Sequence, residues 1–158
     1  MSKIAPCLWF DGEAEEAANF YVSLLPDSRI DHIQKNVADG PGGKAGTVLI
    51  VEFTLAGQRF LALNGGRRFE FTHAISLQVD CVDQDEVDGL WDGLSAGGAI
   101  EQCGWLKDRY GVSWQITPRL VVEMLADPDM VKAQRVMAAV MQMVKIDIAA
   151  AQRAYAGG

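Results

Sequence analysis

The chain carries one local pattern twice. A repeat of this length constrains the fold more than any single residue, because each copy is a supersecondary unit that needs packed neighbours to bury its apolar face. In the first copy, Ile4 to Phe10 is a short apolar strand ended by Asp11-Gly12. In Glu13 to Leu25, Ala14, Ala17, Ala18, Tyr21 and Leu25 then fall at helical spacing. Pro26-Asp27 stops that helix, and Ser28 to Asn36 predicts a second strand. The cluster Asp39-Gly40-Pro41-Gly42-Gly43 breaks the chain before two more strands, Thr47 to Leu55 and Gln58 to Leu63, joined at Gly57. After Gly65-Gly66 the order returns, with His73 to Asp80 as a strand and Asp83 to Ser95 as a helix turning Val87, Leu90, Trp91 and Leu94 inward. Gly97-Gly98 ends it, and strands are expected at Ile100 to Cys103, Trp105 to Arg109 and Val112 to Thr117. Aligning Phe20-Tyr21 with Leu90-Trp91, and Phe60 with Trp114, gives two strand-helix-strand-strand-strand modules, the first with the longer loop.

The end of the second module is its most informative stretch. Tyr110-Gly111 lies between two runs rich in aromatic and β-branched residues, a hairpin signal. Beyond it Ser113, Trp114, Gln115 and Ile116 alternate, so Ser113 and Gln115 share one face of a strand while Trp114 and Ile116 share the other. The polar face ends in an amide rather than a carboxylate. The tail departs from both modules: Asp127-Pro128 opens a helix on which Val131, Val136, Ala139, Val140 and Met143 can pack, and Asp147 caps a last one running to Tyr155. Met137, Met141 and Met143 crowd this region, where adaptable thioethers suit a core or an interface; packing in the core is the expectation.

With 158 residues the chain fits one domain with a sizeable core. Cys7, Cys81 and Cys103 are odd in number and form no C-x-x-C pair, which fits a reducing cytoplasm and thiols that act as small apolar groups. A formal charge of -7 with no basic helix opposes attraction to phosphate backbones, so no nucleic-acid partner is expected. Apolar stretches are shorter than a membrane span and the start carries no leader pattern, so a cytoplasmic location is expected, with no membrane partner.

The segment Pro6-Cys7-Leu8-Trp9-Phe10-Asp11-Gly12-Glu13-Ala14-Glu15-Glu16-Ala17, the motif Gly104-Trp105-Leu106-Lys107-Asp108-Arg109-Tyr110-Gly111 and the tail pieces Asp127-Pro128-Asp129 and Lys145-Ile146-Asp147-Ile148 carry a resemblance. The chain resembles the vicinal oxygen chelate superfamily, the glyoxalase/bleomycin-resistance/dioxygenase group. Within it the chain is similar to the PhnB-like branch, often labelled 3-demethylubiquinone-9 3-methyltransferase domain. The resemblance implies an α+β fold in which two βαβββ modules, residues 4–65 and 72–119, form an open, cupped mixed-sheet barrel, with a helical extension over residues 120–156. It also implies a homodimer and four strand positions able to hold a divalent metal through His and Glu. This chain departs from that set. The position commonly Glu on the last strand falls at Gln115, its counterpart in the first module falls near Leu61, and the opening strands offer Ala5, Pro6, Cys7 and Ala74, Ile75, Ser76.

No metal and no cofactor are therefore expected, and no other catalytic set is evident: there is no phosphate loop, and no Cys is paired with a clear base in sequence. A methyltransferase cofactor fold would show a glycine-rich turn entering a helix, whereas Gly65-Gly66 leads to another strand. What remains is a small-molecule pocket formed from Cys7, Trp9, Asn64, His73, Ser76, Trp105, Arg109, Trp114 and Gln115. Two readings stay open. One is a metal-independent binder in the manner of the bleomycin-resistance proteins. The other is a metal-dependent lyase, isomerase or dioxygenase-type enzyme with atypical ligands that include His73, Gln115 and Cys7. The tryptophans line the pocket or fill the core, and His73 is a ligand or a hydrogen-bonded rim residue.

Overall fold

A computed structural model describes residues 2–158, which divide into one unit ending at Glu70 and another beginning at Phe71. In the first, the opening strand is shorter than expected: β1 (Cys7–Phe10) begins only after Pro6, which has no amide hydrogen to extend the ladder, and Ile4 is exposed. The helix α1 (Ala14–Leu24) buries Ala14, Ala17, Ala18 and Tyr21 along one side. The chain continues through β2 (Arg29–Lys35), β3 (Val48–Leu55) and β4 (Gln58–Asn64), and α1 packs on β3 and β4. Val51, Phe53, Phe60 and Ala62 alternate toward that helix and are buried. The sheet order is β1-β4-β3-β2, with β1 parallel to β4 and the other pairs antiparallel.

The second unit repeats this plan. Its first strand, β5 (Ser76–Cys81), starts three residues later than the sequence suggested and leaves His73 in the preceding turn. Next comes α2 (Gln84–Ser95), whose N-cap Asp83 accepts a hydrogen bond from the Glu86 amide at 2.9 Å, satisfying one of the donors a helix start leaves unpaired. Three strands follow: β6 (Ala99–Ile100), β7 (Trp105–Lys107) and β8 (Ser113–Pro118). The sheet order β5-β8-β7-β6, again with one parallel pair, matches the first sheet position for position. Two βαβββ modules with the same connectivity therefore make up an α+β chain, as the repeat required.

The tail forms α3 (Arg119–Leu125), α4 (Met130–Val140) and α5 (Ile148–Ala156). Val121, Met124, Val136, Val140, Ile146 and Ala151 make its core, against which Cys103 and Met143 also pack. The methionine expectation is corrected in part, because Met137 and Met141 are 47% and 60% exposed, and Val131 also faces outward at 60%. Among the described residues, no helix is long and apolar enough to cross a membrane.

Candidate functional site

The ladder of the second sheet sorts its side chains into two faces. In β5 and β8 the register pairs Ser76 with Ser113 and Gln78 with Gln115; in β7 and β8 it pairs Trp105 with Gln115 and Lys107 with Ser113. Since successive side chains alternate, Leu106, Trp114 and Ile116 point toward α2 and are buried. Ser76, Gln78, Trp105, Lys107, Ser113 and Gln115 share the opposite face. There the Gln115 amide nitrogen donates to the Ser76 hydroxyl at 2.8 Å. The Ser113 hydroxyl is buried with no hydrogen-bond partner among the described residues. At the rim, both carboxylate oxygens of Glu101 lie 2.9 to 3.0 Å from His73 Nε2, and the His73 ring stands 6.1 Å from that of Trp105.

Of the nine residues proposed for a pocket, the fold thus brings His73, Ser76, Trp105 and Gln115 onto or beside one face. Gln78, which the sequence reading passed over, is the register partner of Gln115. The only signal for it was the alternation Ser76, Gln78, Asp80 along β5.

The other five serve elsewhere in the two units. Trp114 lies on the helix side, 2% exposed, and its indole N–H donates to Asp108 at 2.9 Å. Arg109 is exposed, in the loop joining β7 to β8. Trp9, on the face of β1 turned from α1, donates its indole N–H to the Arg67 carbonyl at 2.7 Å and meets the Phe69 ring edge-on at 5.2 Å. Cys7 pairs in register with Leu61, and desolvation holds its thiol above the usual range, so it stays protonated at neutral pH.

Asn64 is a scaffold residue. Its carbonyl oxygen accepts from the amides of Gly12 and Ala14, each at 3.0 Å, and its nitrogen donates to the Val48 carbonyl at 3.1 Å. One side chain thereby fixes the turn between β1 and α1 and ties it to β3. Asn64→Ala leaves these backbone groups unpaired and is expected to lower stability by about 2 kcal/mol, read from urea unfolding. A loss below about 0.5 kcal/mol would show that water replaces the amide.

Each unit holds a cavity lined by its own residues. One of about 530 Å³ sits beside the first turn of α1, against Asp11, Glu15, Pro41, Lys44 and Asn64. Another of about 410 Å³ lies against Leu120, Met124, Asp127 and Tyr155 in the helical tail.

The metal implied by the resemblance finds no matching donors. The paired positions hold a protonated thiol at Cys7 opposite an alkyl group at Leu61, and an amide at Gln78 opposite the amide of Gln115, with the Ser76 hydroxyl beside them. No cluster of three or more His, Cys, Asp or Glu side chains able to hold a metal occurs among the described residues. Divalent cations favour carboxylates and imidazoles, so these residues do not fit the group.

A family model described as 3-demethylubiquinone-9 3-methyltransferase matches residues 2–117, which span both modules. The chain belongs to that family. Among solved structures it is similar to a putative 3-demethylubiquinone-9 3-methyltransferase, PhnB protein, from Bacillus cereus. The two are 43% identical over 74% of this chain and 99% of the other, with a TM-score of 0.68. Protein PA1353 from Pseudomonas aeruginosa shares the fold alone, at 19% identity over 75% of this chain and 98% of that one, with a TM-score of 0.57. No curated protein matches the chain. The family match ends at Thr117, so α3 to α5 lie beyond the part matched to the 3-demethylubiquinone-9 3-methyltransferase family.

Proposed function

We propose that this member of the 3-demethylubiquinone-9 3-methyltransferase family is a metal-independent binder of a small molecule, which rests on the polar face of the second sheet. The observation that carries the reading is Gln115. It stands where the resemblance implies a metal-binding carboxylate, donates to Ser76 and lies opposite Gln78. A neutral amide stabilises a divalent cation far less than a carboxylate does, whereas it both gives and accepts hydrogen bonds to an organic ligand. Trp105 beside it supplies an apolar plate, the usual companion of a few convergent polar groups in a ligand site.

Methyl transfer, which the family description names, has no support in the topology. Each sheet has one parallel pair, and Gly65-Gly66 leads through residues 67–75 into β5 rather than into a helix. A homodimer is part of the same proposal, on the family likeness and on Met130, Val131, Met137 and Met141, which leave an apolar stretch of α4 and the turn after it exposed.

Native mass spectrometry of freshly isolated protein tests these points together. The expected spectrum shows a dimer carrying an organic mass and no metal. Near-stoichiometric metal that Gln115→Ala removes would overturn the binder reading. Monomers alone at micromolar concentration would overturn the dimer.

A further inference from the structure

We propose that the polar face of the second sheet takes a small planar anion, an aromatic carboxylate, with Lys107 and Ser113 seating its carboxylate and Trp105 covering its ring. This rests on the reading that the face is the ligand site, and it names the ligand's chemical class.

The register arranges the face as two rows. Lys107, Ser113 and Ser76 lie side by side across β7, β8 and β5, and Trp105, Gln115 and Gln78 form the next row. Neighbours within a row stand about 5 Å apart and the rows about 7 Å apart, so a molecule the length of a benzoate spans both. Glu101 faces His73 at 2.9 Å, and Asp80, further along β5, holds Arg119 at 2.8 Å. Lys107 is half-buried and makes no ion pair among the described residues.

Directly beside it in register, Ser113 keeps a buried hydroxyl without a partner. The buried, unmatched hydroxyl is unfavourable, and a single carboxylate would satisfy it while pairing with the Lys107 ammonium through charge-assisted hydrogen bonds. A cation would be repelled by Lys107, and a neutral ligand would leave it unmatched. In the second row Gln115 donates to Ser76, which leaves its carbonyl oxygen to accept from a ring hydroxyl.

Calorimetric titration with sodium benzoate and with its neutral isostere benzamide tests the assignment. Benzoate is expected to bind about tenfold more tightly or better, the effect of one charge-assisted contact. Lys107→Gln should remove that preference, Lys107→Arg should keep it, Ser113→Ala should weaken benzoate several-fold, and Lys35→Gln on β2 should change nothing. Urea unfolding of each variant separates lost binding from lost structure.

Equal affinity for benzoate and benzamide, or full benzoate affinity in folded Lys107→Gln, overturns the anion assignment. The binder reading then survives if Gln115→Leu abolishes what binding is seen. Absence of benzoate binding with an organic mass still present in the native spectrum also sinks only the assignment. Absence of both sinks the two together.

Discussion

Asp108→Ala is expected to cost at least about 3 kcal/mol of stability, the range for stripping a buried charged group of its contacts. Asp108 is 2% exposed, a setting that a carboxylate tolerates only when its oxygens are occupied. One oxygen accepts from the amides of Tyr110 at 2.8 Å and Val112 at 3.1 Å; the other accepts from the indole of Trp114 at 2.9 Å. The side chain therefore shapes the loop from β7 to β8 and at the same time anchors the largest fully buried residue of the core. Alanine removes the acceptor that two backbone donors and one indole donor share.

Asp108→Asn is the informative companion. Its oxygen can still serve the Tyr110 and Val112 amides, but its nitrogen cannot accept from Trp114, so about half of the loss is expected. Urea unfolding followed by tryptophan fluorescence reads both. A cost below about 1 kcal/mol for Asp108→Ala would show that the loop, and not its carboxylate, holds Trp114.

This residue also marks the boundary of what the sequence disclosed. The duplicated order of elements was legible because apolar spacing switches from strand to helix period twice, and Asp83 announces its helix with an unambiguous cap. Alternation around Gln115 correctly separated a polar face from an apolar one. Partners far apart in sequence left no such trace: nothing local says that Trp9 donates to Arg67 or that Asn64 gathers Gly12, Ala14 and Val48. The tryptophan rings and Asn64 could therefore be read equally as ligand contacts or as scaffold. Gln78 went unmarked because residues 74–76 were expected opposite the last strand, while β5 pairs two residues further along. The short α3 was missed for a related reason, since Pro118 both ends β8 and occupies the helix N-cap, leaving no polar break between them.

Gly66→Ala should be the most damaging glycine substitution in the first unit, at about 3 kcal/mol or more. Two costs meet there. Its φ of +83° lies in the left-handed region, where an added Cβ alone costs roughly 1 to 2 kcal/mol. That Cβ would also fall 1.6 Å from the Pro41 carbonyl oxygen. The obstacle is backbone, so no rotamer change relieves it and the 40–47 loop must shift. The loop resists, because Asn36 grips it on several sides: its amide donates to the Thr47 carbonyl at 2.8 Å, its carbonyl accepts from Gly46 at 2.8 Å, and its side chain donates to Thr47 Oγ1 at 3.1 Å.

Gly12→Ala isolates the conformational part, since Gly12 has a φ of +103° but nothing within 4 Å of an added Cβ. It should cost only about 1 to 2 kcal/mol. Equal losses for the two variants, measured by urea unfolding under one set of conditions, would mean that the loop yields freely and that the close approach of Gly66 to Pro41 carries none of the stability of this unit.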